Sequence, residues 1–67
     1  MQYVLVYNRN TGKTEKIIPE ADFHKAFELF KHYQNDEKYD DREIIFIIAD
    51  NEADLKNYWG RYFTQES

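Results

Sequence analysis

Six consecutive apolar residues, Ile44 to Ala49, are the most constraining feature of this chain. They sit between Glu43 and Asp50, which is the length of one strand. A strand with one wet face alternates apolar and polar residues, and this one does not. Both of its faces must therefore be covered, by helices of the same chain or by another chain.

The chain is short for that task. Its 67 residues predict one domain, 1–67, with one core. A domain of this size buries only about 60% of the surface its unfolded chain exposes. Small domains add disulfides, metals or partner subunits. With no cysteine, disulfides, thiolate zinc sites and cysteine nucleophiles are excluded. Five Phe, six Tyr and one Trp are the available compensation, along with self-association. The apolar run is far below the 18 or so residues of a membrane span. The segment Met1 to Tyr7 has neither a basic stretch nor a small-residue cleavage site, so no signal peptide is expected and the cytoplasm is the default compartment.

The remaining elements follow from periodicity. Tyr3, Leu5 and Tyr7 alternate with Val4 and Val6, which predicts a strand over 2–8. Gly12 fits a left-handed position closing a three-residue hairpin loop, and Lys13 to Ile18 returns as an edge strand guarded by lysines. Pro19 fits the first turn of a helix, with Glu20 and Asp22 beside it. Phe23, Ala26, Phe27, Leu29, Phe30 and Tyr33 then form an apolar stripe that ends near Gln34 or Asn35. Asp50 or Asn51 caps a second helix, whose face is Leu55, Tyr58, Trp59, Tyr62 and Phe63, continuing through Gly60.

The expected fold is α+β, in the order β-β-α-β-α. A mainly antiparallel three-stranded sheet, order 2-1-3, packs with two amphipathic helices. The expected core is Val4, Leu5, Val6, Phe23, Phe27, Phe30, Ile45, Phe46, Ile47, Leu55 and Trp59.

Chemistry is sparse. His24, Glu28 and His32 make an i, i+4, i+8 stripe, but its ends lie about 12 Å apart along the axis. Lys25 and Lys31 flank it, so the expectation is a solvated face and no metal site. The acidic stretch from Asp36 to Glu43 has Lys38 in a ligand slot and lacks the glycine of a calcium loop. Ser67 is the one serine, and Gly12 and Gly60 are isolated, so neither a nucleophile triad nor a phosphate loop is indicated. No catalytic residue, metal or cofactor is expected, and the chain reads as a non-enzyme.

Charge is the stronger signal. Residues 1–19 carry Arg9, Lys13 and Lys16 against Glu15, a net +2, whereas residues 35–54 carry two basic and eight acidic residues, a net −6. Direct nucleic-acid binding needs a basic footprint and is not expected. The acidic residues Asp36, Glu37, Asp40, Asp41, Glu43, Asp50, Glu52 and Asp54 are the expected docking surface for a basic protein partner. In size and charge the chain is similar to some phage-encoded inhibitors of nucleic-acid enzymes, an alternative of the same class that rests on no motif. The second helix can cover the sheet face opposite the first, which would satisfy a monomer, or pack beside it on the same face, as short α+β domains often do. The other face, read as Tyr3, Leu5, Tyr7 and Phe46, would then be bare and would pair with its copy in a homodimer.

Overall fold

The computed structural model describes residues 1–60. Its elements are β1 (Gln2–Asn8), β2 (Lys13–Glu20), α1 (Phe23–Asn35), β3 (Arg42–Ile48) and α2 (Glu52–Tyr58), with a 3-10 turn at Glu37–Tyr39 between α1 and β3. The strands form one antiparallel sheet in the order β2-β1-β3. This is the expected α+β fold, with β1 central because it is apolar on both faces.

Hairpin formation is driven by local chemistry. The loop between β1 and β2 is four residues, 9–12, rather than three. Gly12 closes it at φ +73° and donates from its backbone N–H to the Asn8 carbonyl at 2.8 Å. Asn8 holds the turn from inside: its Oδ1 accepts from the N–H groups of Asn10 (2.9 Å) and Thr11 (3.3 Å). Asn side chains favour such turns because they mimic a backbone carbonyl. A bulge follows, since Val6 pairs with Lys16 but Tyr7 pairs with Thr14, leaving Glu15 as the extra residue.

Pro19 corrects the expected helix start. It lies within β2, opposite Tyr3, and the helix begins four residues later with Asp22 as its cap. The Asp22 carboxylate accepts from the Lys25 N–H at 3.2 Å. Proline is tolerated in β2 because that strand is an edge.

The helices lie on opposite faces of the sheet. Even-numbered residues of β1 and β3 share one face, through the pairs Val4–Phe46 and Val6–Ile44. The α1 stripe packs there, with the Phe46 ring 5.5, 6.2 and 5.7 Å from those of Phe23, Phe27 and Phe30. Odd-numbered residues form the other face. There Tyr3, Leu5 and Ile47 are buried against Leu55 of α2, with Tyr7, Ile17, Ile45 and Ala49 packed around them. Of the two placements open to α2, the face opposite α1 is the one observed, which makes three layers. The proposed dimer face does not exist as a face: Phe46 points the opposite way from Tyr3, Leu5 and Tyr7, and Tyr3 and Leu5 are covered by the chain itself.

The core is also smaller in rings than expected. Val4, Leu5, Val6, Ile47 and Leu55 are buried, and Phe30, Ile45 and Phe46 half-buried, but Phe23, Phe27 and Trp59 are exposed. Ala26 and Tyr3 are buried in their place: Ala26 lets α1 approach the sheet, and its larger neighbours spread over the rim. Helix α2 ends before Gly60, with Trp59 as its C-terminal cap, and Tyr62 and Phe63 lie outside the described residues. Among the described residues, no helix is long and apolar enough to cross a membrane.

Candidate functional site

The eight acidic residues expected to act together form two groups at opposite ends of β3. Asp36, Glu37, Asp40, Asp41 and Glu43 precede or open the strand; Asp50, Glu52 and Asp54 follow it. A seven-residue strand separates them by about 20 Å. Each group has a net charge of −3 over residues 36–43 and 50–54.

Parts of both groups serve the fold. Asp36 caps the 3-10 turn, accepting from the Lys38 N–H at 3.0 Å. Asp41 pairs with Arg42, and Glu52 with Lys56 at 3.6 Å, one helical turn on. Asn51, not Asp50, caps α2, accepting from the Asp54 N–H at 2.9 Å, which leaves the Asp50 carboxylate exposed beside the helix start. Each group also borders an open depression. One, of about 360 Å³, is lined by Gln34, Asn35, Tyr39, Asp40, Arg42 and Ile44. The other, of about 310 Å³, joins Asp50 and Asp54 to Ile48, Ala49, Tyr58 and Trp59. Ile48 and Tyr58 are 64% and 81% exposed, so the second depression sets bare apolar and aromatic surface against carboxylates.

A polar network that sequence reading missed crosses the sheet at the first end. Arg42 donates from Nε to Glu15 Oε1 at 2.8 Å, and buried Asn8 donates from Nδ2 to Glu15 Oε2 at 3.0 Å. One carboxylate on β2 thereby ties β1 and β3 together. The signal for it lay in Asn8 followed by Asn10-Thr11-Gly12, an Asn-initiated turn. The bulge that delivers Glu15 has no such signature. Hydrogen bonds from Arg42 and Asn8 hold the Glu15 carboxyl below its ordinary value of 4.5, and Glu15 in turn raises Arg42. A depressed folded-state value means a contribution to stability that is complete above the unfolded value and lost as pH falls through the folded one. Glu15→Gln is therefore expected to lower the urea midpoint above pH 4.5, with the gap to wild type closing as pH falls below it. A gap independent of pH would assign the loss to packing instead of charge.

The histidine stripe stays on the wet side of α1: His24, Glu28 and His32 are exposed, and Glu28 pairs with Lys31 at 3.6 Å. Among the described residues, no three His, Asp or Glu side chains converge to hold a metal ion. What the surface offers is fixed negative charge beside exposed rings, which attracts cations and apolar side chains.

Comparison with family models, with curated proteins and with solved structures finds no match.

Proposed function

We propose that this chain is a small non-enzymatic protein-interaction domain that docks a partner with a basic surface along its β3 side. The observation that carries this is the placement of two −3 groups at the two ends of one edge strand, with Ile48, Phe23 and Phe27 exposed between or beside them. Apolar surface supplies burial and the charged ends supply orientation and encounter rate, as at docking surfaces in general. Basic grooves of nucleic-acid enzymes are one surface of this kind.

Partners retained at low salt and released at high salt, then purified and bound again, test the reading. Asp40→Lys with Asp41→Lys is expected to slow association about tenfold or more, since such steering changes rates by ~10–1000-fold. Raising ionic strength should slow the wild type in the same way. A rate indifferent to both changes rejects the proposal.

A further inference from the structure

The two edges of the sheet are unlike, and the difference is visible in the backbone. The Ala49 N–H bonds the Met1 carbonyl at 3.0 Å, in the same register that pairs Gln2 with Ile48 and Tyr3 with Ile47. In an antiparallel ladder, hydrogen-bonded pairs alternate with non-bonded ones. The odd-numbered residues of β3 therefore spend their backbone groups on β1. The N–H and C=O groups of Ile44, Phe46 and Ile48 point outward, and among the described residues no strand lies beyond them. By the same alternation, Tyr3 bonds toward β3, so its β2 partner Pro19 turns its nitrogen to the outside. That edge thus lacks a donor where a new strand would need one, and it carries Lys13 and Lys16 besides. The β3 edge has no lysine or proline over Ile44–Ile48.

On the reading that this side docks a basic partner, we propose that the partner adds a strand to β3: an extended segment, apolar at alternate positions, with Lys or Arg at both ends. Main-chain bonds to Ile44, Phe46 and Ile48 would give affinity, and alternate side chains specificity. On the α1 face the added side chains meet Phe46, which is ringed by the exposed Phe23 and Phe27. On the other face they meet half-buried Ile45, while Ile47 is already covered by Leu55. The basic ends fall beside residues 36–43 and 50–54.

Charge also disfavours the obvious rival, a second copy of β3. Paired strands lie about 4.8 Å apart, inside the ~8 Å screening length at physiological salt. Whichever way a second β3 ran, a −3 group would face a −3 group at each end. The same acidic ends that select a basic segment discourage edge-to-edge self-pairing, a role edge charges play in other sheets.

The test uses the full chain and a synthetic peptide with a Val-Thr-Val-Thr-Val core and a lysine pair at each end. Two control peptides carry glutamate for lysine, or proline for threonine. Amide exchange and chemical shifts are followed residue by residue. At 90% occupancy the lysine peptide is expected to slow exchange at Ile44, Phe46 and Ile48 about tenfold, less so as salt rises. Neither control should do so. Ile48→Lys, at an exposed position that leaves the fold intact, should weaken the effect. Four results would overturn strand addition: no slowing at millimolar peptide, equal slowing by the glutamate peptide, protection of β2 instead, or protection that rises with protein concentration alone, which would install a second copy. A purified basic partner that still binds in a salt-dependent way while these amides stay open would defeat strand addition and leave the docking function standing.

Discussion

Leu5→Ala is expected to destabilise the domain by about 2–5 kcal/mol, as deletion of fully buried leucine side chains does. Leu5 is fully buried on the central strand, flanked by Ile17 on β2 and Ile45 on β3. No rearrangement of an edge can fill the space it leaves. For a domain of this length, each kcal/mol moves the thermal midpoint by about 4–8 °C, and small domains hold only a modest reserve. Much of the population should be unfolded at 37 °C. Phe27→Ala provides the contrast. Although the ring is larger, it is 43% exposed, so the loss should be about 1–2 kcal/mol, well short of the ~3–5 of a buried phenylalanine. Thermal or urea midpoints for the two variants decide the order, and a larger loss at Phe27 would move the core to the α1 side.

Leu55→Ala is expected to cost a comparable 2–5 kcal/mol, despite coming from a helix of only seven residues. A helix that short has no stability of its own in water. It is held by its Asn51 cap and by Leu55, its one buried residue, inserted against Tyr3, Leu5 and Ile47. Truncation should therefore detach the helix as well as open a cavity. Near-ultraviolet circular dichroism, which reports the packing of Tyr3, should change together with the midpoint. An Asn51→Ala variant, which removes only the cap, should lose about 1 kcal/mol. If Leu55→Ala were no worse than Asn51→Ala, α2 would not be the cover of this face.

The elements themselves were readable because their signals are local. The two-residue alternation of β1, the glycine of the hairpin and the spacing of Phe23, Ala26, Phe27 and Phe30 each act within a few residues. The order 2-1-3 followed from the both-faced apolarity of β1 and β3. Failures occurred where competing elements offer the same pattern. Pro19 suits a helix start and an edge strand equally, and only the free edge on the outside of β2 distinguishes them. Trp59 keeps the phase of the α2 stripe, but the helix stops at Tyr58, so phase no longer sets its direction. The side on which α2 lands depends on three residues, 49–51, whose path no periodicity encodes. With that side settled as the odd-numbered one, the face proposed for a homodimer is occupied from within. The acidic residues were found, but their division into two groups was not. Sequence proximity merges 36–43 with 50–54, while the strand between them drives them to opposite ends.

β3 is bonded to β1 on one side and, among the described residues, open on the other, and amide hydrogen exchange of the free protein reads this directly. Exchange should alternate along the strand: slow at Ile45 and Ile47, whose N–H groups bond β1, and fast at Ile44, Phe46 and Ile48, whose groups face outward. Uniformly slow exchange from Ile44 to Ile48 in dilute protein would contradict it, because the edge would already be covered and there would be no place for a partner strand.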